Sequence, residues 1–149
     1  MKRTAAILIL AAIALPPGLL LAQAPAVDSR SVWDGVYTEE QVKRGEPVYQ
    51  KECALCHGAT LNGGESAPPL TGGAFMANWN GLTMGDLFDR IRKTMPLSNP
   101  GRLTRQQDAD ILAFLLSANK FPAGKTELYR QSEMLREIRF ESSKPVPKK

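Results

Sequence analysis

The sequence predicts an all-α fold of about three to five helices, with one long loop rich in glycine and proline. Two segments, Thr38 to Gln41 and Thr104 to Gln107, have the Thr-x-x-Gln spacing of a capping box, and each precedes apolar residues at helical intervals. Nowhere in the 149 residues do apolar and polar residues alternate as they do in a half-buried strand. The chain has the length of one domain.

The first 24 residues are predicted to be a signal peptide and not part of that domain. Lys2 and Arg3 precede an apolar run, and small residues follow a Pro-Pro-Gly break at residues 16–18. This order is typical of a secretory signal peptide, with cleavage expected between residues 22 and 26. A retained membrane anchor is the alternative, disfavoured because the break interrupts the roughly 20 apolar residues that a span needs. We therefore expect export to the periplasm, and a membrane contact only if the segment is retained.

Residues 25–37 are expected to form an extended lead-in to a folded domain at 38–119. The first helix should begin after Thr38, although Pro47 is expected to kink or shorten it. Its apolar face consists of Val42, Gly45, Val48, Tyr49 and Cys53. From Gly58 to Gly81, the density of Gly, Pro, Asn and Thr predicts a loop. So long a loop is unusual in a compact domain unless it has something to fold around.

Two more helices are predicted downstream. One runs from Thr83 to Lys93 and ends before Pro96; the other follows Thr104. The second carries the strongest apolar face of the chain, made of Ile111, Leu112, Phe114, Leu115 and Ala118. Residues 120–149 are predicted to be a basic, solvated tail with a short helix from Glu133 to Phe140.

The charge distribution argues against a nucleic-acid partner. The formal net charge is +4, but residues 25–119 hold nine basic and eleven acidic side chains, whereas residues 120–149 hold eight and four. The body is therefore slightly acidic, and no basic face with interleaved aromatic residues is present to bind nucleic acid.

The chain concentrates its only two cysteines and its only histidine in five consecutive residues, Cys53 to His57. On a helix, Cys53, Cys56 and His57 would share roughly one face. A flat macrocycle on that face could take two thioether bonds from the sulfurs and an iron bond from the imidazole. C-x-x-C-H is the pattern of covalent haem attachment, and a haem would also be an object for the long loop to enclose.

Three other interpretations compete with covalent haem. A zinc site needs four protein ligands, or three and a water, and only these three good ligands exist here. A redox dithiol would be expected beside a strand-helix unit, which the pattern does not predict. A plain disulfide leaves the long loop unexplained.

If a haem is bound, histidine cannot occupy its second axial position, because His57 is the only histidine of the chain. A methionine, another donor such as lysine, or an open position remain. Met95, held between a helix and Pro96, is the preferred ligand, and Met76 is the alternative.

From Thr38 to about Asn119 the chain resembles class I c-type cytochromes, through the segments "CALCH", "APPLTG", "KTMP" and "DILAFLLSAN". The resemblance implies one haem c bound covalently by Cys53 and Cys56, with His57 as the proximal ligand of the iron and Met95 as the distal one. It also implies that the Pro68 carbonyl accepts a hydrogen bond from the histidine ring. By the same resemblance Leu70 would contact the haem, and Trp79 would either donate a hydrogen bond to a haem propionate or simply pack.

The resemblance implies a single-electron carrier and not an enzyme. The alternatives are a cytochrome c subunit of a periplasmic dehydrogenase complex and an open-site haem enzyme of peroxidase type. "FPAGKTEL" and the charged segment after it are loosely similar to cytochromes that accompany quinoprotein dehydrogenases. Expected partners are redox proteins, such as a periplasmic quinoprotein dehydrogenase and a terminal oxidase, with the chain a monomer or a subunit of a complex.

Overall fold

The structure is a computed structural model that describes residues 30–146; the predicted signal peptide lies outside the described residues, as do the last three residues of the tail. The elements are, in order, β1 (Arg30–Ser31), a 3-10 turn (Val32–Asp34), α1 (Glu39–Glu52), α2 (Ala54–His57), α3 (Gly72–Trp79), α4 (Met84–Thr94), α5 (Arg105–Ala118), α6 (Ser132–Leu135) and β2 (Ile138–Arg139). The all-α prediction is confirmed, since the only sheet within 30–146 is the two-residue parallel pair of β1 and β2. No helix in this range is long and apolar enough to cross a membrane.

The starts of α1, α4 and α5 are set by side-chain hydrogen bonds within the first turn of each helix. The Thr38 hydroxyl accepts from the Gln41 amide at 3.3 Å, and the Thr104 hydroxyl accepts from the Gln107 amide at 3.2 Å. Both are capping boxes, so the predicted starts of α1 and α5 are confirmed. A third box, of Thr83 and Asp86, begins α4. Each box satisfies amide groups that would otherwise lack a helical acceptor.

Pro47 lies inside α1 but does not end it, since the helix continues to Glu52. Pro47 and Lys43 both lie on the exposed face of the helix. The Lys43 carbonyl, which loses its usual helical donor at a proline, can therefore reach water.

The crossing of α1 over α5 is the largest contact between elements, and Gly45 lies at its centre. A Cβ at Gly45 would overlap the carbonyl oxygen of Asp110, so only glycine lets the two backbones approach this closely. Near the crossing the rings of Tyr49 and Phe114 pack with centroids 5.2 Å apart. Arg44 adds a two-pronged ion pair with Asp110 at 3.0 and 2.9 Å.

The prediction of an uninterrupted loop from Gly58 to Gly81 is wrong, because α3 occupies 72–79. The segment contains Phe75, Met76 and Trp79 at helical spacing, a signal that the neighbouring glycine pairs obscured. Burial of Phe75, which is 3% exposed, holds the short helix against the core.

The expectation of a solvated tail is wrong for residues 120–146. Five apolar side chains of this segment are 3% exposed or less: Phe121, Leu128, Leu135, Ile138 and Phe140. The predicted helix from Glu133 to Phe140 is shorter than expected: α6 ends at Leu135, and Ile138 begins β2. Here Ile138 and Phe140 face inward while Arg139 faces solvent, so the segment has the period of a strand.

The lead-in and the tail hold each other in place. The Tyr37 hydroxyl donates to the Phe121 carbonyl at 2.6 Å, and the indole N–H of Trp33 donates to the Glu141 carbonyl at 2.9 Å. The buried Gln41 side chain both donates to the Leu128 carbonyl and accepts from the Leu128 amide. The division into lead-in, domain and tail remains a prediction, but the tail contributes to the same core as the helices.

Candidate functional site

The Cys-x-x-Cys-His segment forms a single helical turn directly after α1. Cys53 ends α1 and precedes α2, with φ −123° and ψ −33°, so the segment is not a continuation of the first helix. Its carbonyl accepts from the amides of both Cys56 and His57, at 3.1 and 3.0 Å. The turn therefore brings the two sulfur-bearing residues and the imidazole together within about one helical repeat.

The His57 ring is oriented by a contact across the loop: its Nδ1 lies 2.8 Å from the carbonyl oxygen of Pro68. A carbonyl can only accept, so Nδ1 must carry the proton. The neutral ring then has its lone pair on Nε2, the form in which imidazole binds a metal. This is the geometry of a metal-ligating histidine held by a backbone partner.

The loop between His57 and Pro68 is itself held by backbone hydrogen bonds. The Gly63 amide donates to the His57 carbonyl at 2.9 Å, and the Leu70 amide donates to the Leu61 carbonyl at 2.8 Å. Gly63 has φ +74°, and a Cβ there would lie 2.6 Å from the Pro69 nitrogen, so this turn requires glycine. The loop can therefore hold the Pro68 carbonyl in place independently of any ligand.

α1 supports the start of the same loop through Tyr49 and Gln50. The Tyr49 hydroxyl donates to the Gly58 carbonyl at 2.7 Å, and the Gln50 amide group donates to the Ala59 carbonyl at 3.0 Å. Burial raises the pKa of Tyr49 to about 12, so the phenol stays protonated and able to donate.

The two cysteines are free thiols with different surroundings. Cys53 is half-buried and Cys56 exposed, and they do not form a disulfide. Burial, and then the nearby carboxylates of Glu52 and Asp108, raise the pKa of Cys53 to about 11. A thiol so protonated at neutral pH is a poor nucleophile, which disfavours the redox-dithiol interpretation.

The structure gives the zinc interpretation no support. Among residues 30–146, no three His, Cys, Asp or Glu side chains are grouped closely enough to hold a metal ion. The redox-dithiol interpretation also lacks its expected strand, because β1 and β2 pair with each other through residues 30–31 and 138–139, outside the Cys-x-x-Cys turn.

The other predicted site residues are partly buried side chains that pack against the core: Leu70, Met76, Trp79 and Met95. Met95 caps the C-terminus of α4 with extended backbone angles. Of the other methionines in residues 30–146, Met84 is fully buried and Met134 is 37% exposed in α6. The Trp79 ring packs 6.4 Å from that of Phe75. The roles of Met95, Met76, Leu70 and Trp79 toward a ligand remain predictions.

Two residues near this region were missed from the sequence. Asn119 donates to the Leu70 carbonyl at 2.9 Å and accepts from the Gly72 amide at 3.2 Å, so it joins the end of α5 to the start of α3. Asp108 is completely buried, although it is acidic. The sequence did carry a signal for this burial: Asp108 stands three residues before Ile111 and four before Leu112, which places it on the apolar face of α5.

The residues present fit a covalently bound haem. Two unpaired thiols and an imidazole with a free Nε2 share one turn, and the ring is already oriented by Pro68. Partly buried apolar side chains, which a planar apolar group could cover, are available on the core: Cys53, Leu70, Met76, Trp79, Met95 and Phe114. Held there, a haem would take two thioether bonds from the cysteine sulfurs and an iron ligand from the imidazole nitrogen, and a methionine sulfur could serve as the second axial ligand.

The sequence profile of one known protein family agrees with this assignment. Residues 40–115 match the sequence profile of a family described as cytochrome C oxidase, cbb3-type, subunit III. A search of curated protein sequences found no match. Among solved structures, the chain resembles the sulfane dehydrogenase SoxCD from Paracoccus pantotrophus, with 21% identity over 83% of this chain and 68% of that one and a TM-score of 0.48.

Proposed function

The chain belongs to the cytochrome c family that its residues 40–115 match, and from this premise we propose that it is a periplasmic single-electron carrier with one haem c and His57/Met95 ligation. A cytochrome c domain implies haem-based electron transfer by a covalently bound haem c. The number of haems, the axial ligands, the compartment and the absence of enzymatic activity belong to the proposal.

The observation that carries the proposal is the 2.8 Å contact between His57 Nδ1 and the Pro68 carbonyl. It holds the proton on Nδ1, so that Nε2 would be free to bind the iron as the proximal ligand. The free thiols of Cys53 and Cys56 lie in the same turn and would form the two thioether bonds. Since the cysteines are the only two in the chain, they allow one such attachment.

Met95 is the proposed distal ligand. Its side chain is half-buried at the end of α4. The thioether can therefore be enclosed by the fold and still be accessible to a haem iron. A bound haem supplies a one-electron redox centre. Methionine-histidine ligation raises its reduction potential relative to that of a haem with two nitrogen ligands or a thiolate ligand. Two protein ligands leave no position for a substrate, which is why we propose a carrier and not a peroxidase-like enzyme.

Export is supported by the predicted signal peptide at residues 1–24. The packing of the tail favours a free carrier over a dedicated dehydrogenase subunit. Residues 120–146 bury their apolar side chains, from Phe121 to Phe140, against the chain's own core. A segment so occupied is less available to clamp a partner. The proposed partners are redox proteins, such as a periplasmic quinoprotein dehydrogenase and a terminal oxidase.

Optical spectroscopy of the purified haem-loaded protein tests the ligand set. Wild type is expected to be low-spin when oxidised, with an iron-to-methionine charge-transfer band. Met95→Ala should lose that band, whereas the matched variant Met76→Ala should keep it. A high-spin wild-type spectrum that shifts at once on adding azide would establish an open-site enzyme instead, and loss of the band in Met76→Ala alone would move the distal ligand to Met76.

Covalent attachment has its own test. After denaturing electrophoresis the wild-type chain should retain haem, and the Cys53→Ala, Cys56→Ala double variant should not. Haem released from the wild-type chain by denaturation would contradict the thioether assignment.

A further inference from the structure

Asp108 is a buried carboxyl that the proposed electron carrier does not otherwise use. It lies in the first turn of α5, is 0% exposed, and neither of its side-chain oxygens has a hydrogen-bond partner within residues 30–146. Asp110, only two residues later, is also buried but is paired with Arg44 at 2.9 and 3.0 Å. The fold therefore neutralises one of these carboxylates and leaves the other without a direct partner.

An ionised carboxyl in that position is costly, because burial removes water and nothing replaces it. Burial raises the pKa of Asp108 to about 6, and two cations oppose the rise: Arg92 on α4 and Arg105 on α5. Neither forms an ion pair with it. The proton of Asp108 is therefore exchanged near neutral pH, unlike that of an ordinary aspartate.

Asp108 is electrically coupled to the Cys-x-x-Cys-His turn. From α5 its charge contributes, after burial and Glu52, to raising the pKa of Cys53 at the end of α1. Glu52 itself is paired with Arg102 at 2.6 Å, so its charge is compensated. Asp108 is therefore the uncompensated carboxyl among the groups that act on Cys53, one of the two proposed attachment points of the haem.

We propose that Asp108 is a proton-binding site coupled to the electron that this protein carries, so that reduction of the haem is accompanied by proton uptake at Asp108. This inference rests on the proposed function. One electron comes from a donor redox protein and one proton from a hydronium ion of the solvent; the O–H bond of the Asp108 carboxyl forms as one O–H bond of the hydronium breaks, which leaves water. On oxidation by the acceptor, the electron and the proton both leave.

The direction in which the reduction potential changes with pH follows from the charges of the iron and of Asp108. Oxidation adds one positive charge at the iron, which favours the ionised form of Asp108, and the ionised form in turn favours the oxidised iron. The reduction potential should therefore fall as pH rises through the region around 6. The low dielectric around a fully buried carboxyl keeps this coupling from being screened as a surface charge would be.

Potentiometric titration of the haem-loaded protein from pH 4.5 to 8.5 tests the proposal. In wild type the equilibrium constant for reduction should decrease at least threefold over this range, equivalent to about 28 mV for a one-electron couple. Asp108→Asn should abolish the decrease. Glu65→Gln, which removes an exposed carboxyl from the loop after His57, should retain it.

The outcomes separate this inference from the proposed function. The absence of a reversible one-electron couple would refute the carrier itself. A couple whose potential does not vary with pH, or varies equally in wild type and Asp108→Asn, would leave the carrier intact and overturn the role of Asp108. If Asp108→Asn does not fold, Asp108→Leu takes its place. In wild type, redox-difference infrared spectra at pH 6 should also contain a protonated-carboxyl band in the reduced state, and its absence would likewise overturn the proposal.

Discussion

Gly45→Ala is expected to destabilise the protein by forcing α1 away from α5. The new Cβ would overlap the Asp110 carbonyl oxygen, and it would lie 2.5 Å from the Asp110 carbonyl carbon and 3.0 Å from the Ile111 nitrogen. All of these atoms belong to the backbone of a helix, so no side chain can rotate to make room. Ordinary contact would require the helices to separate by about 1 Å or more.

The magnitude follows from two opposing effects. Overpacking a well-filled interface costs about 1–3 kcal/mol, and a rigid backbone contact belongs near the upper end. Alanine is a better helix former than glycine by about 1 kcal/mol. The net loss is then about 2 kcal/mol, which for a domain of this size lowers Tm by about 8 °C. Separation would also loosen the Tyr49–Phe114 contact, now 5.2 Å between centroids.

Thermal unfolding followed by circular dichroism is the assay, with Gly73→Ala as the matched control. Gly73 is also helical, in α3, but a Cβ there would meet nothing within 4 Å. This control should be neutral or up to about 1 kcal/mol more stable than wild type. If Gly45→Ala proves as stable as Gly73→Ala, the close crossing of α1 and α5 is not present as described.

Three further predictions concern stability. Because burial raises the pKa of Asp108 from 3.8 to about 6, the folded state holds this proton more tightly than the unfolded state, and the free energy of unfolding should fall by about 2 kcal/mol as pH rises from 4 to 7. Denaturant titrations of Asp108→Asn should lack this component, and a pH profile like that of wild type would contradict it. Phe140→Ala should cost about 3–5 kcal/mol in the same assay, since the ring is fully buried, whereas the exposed Val146→Ala should change stability by less than about 0.5 kcal/mol; equal effects would mean that the tail does not contribute to the core. Tyr49→Phe removes the 2.7 Å hydrogen bond to the Gly58 carbonyl and should lower the free energy of unfolding by about 1 kcal/mol, measured as a decrease in Tm. An unchanged Tm would mean that this hydrogen bond is absent in solution.

Much of the fold was predictable where the signal is local. The capping boxes at Thr38 and Thr104 predicted the starts of α1 and α5, because the atoms involved are three residues apart and interact before any tertiary contact forms. The short helix α3 was missed because its one glycine pair, Gly72 and Gly73, has a weak intrinsic helix preference, which the burial of Phe75 against the core overrode.

The packing of the tail, by contrast, could not be predicted from the sequence. Its basic composition and terminal position suggested a solvated segment, yet Gln41 binds the backbone of Leu128 across 87 residues, and Phe140 packs edge-on against Phe75 at 5.9 Å. No pattern within the tail identifies these partners. They exist only once α1 and α3 present their surfaces.

For the candidate site, the sequence by itself determined the chemistry. The only two cysteines and the only histidine share one turn, and this spacing is short enough to be set by helical geometry alone. The tertiary structure decided which proton the His57 ring carries, through the Pro68 carbonyl, and which carboxyl is left unpaired, through the burial of Asp108. Orientation and solvation depend on groups brought together from distant parts of the chain, and so only the folded arrangement specifies them.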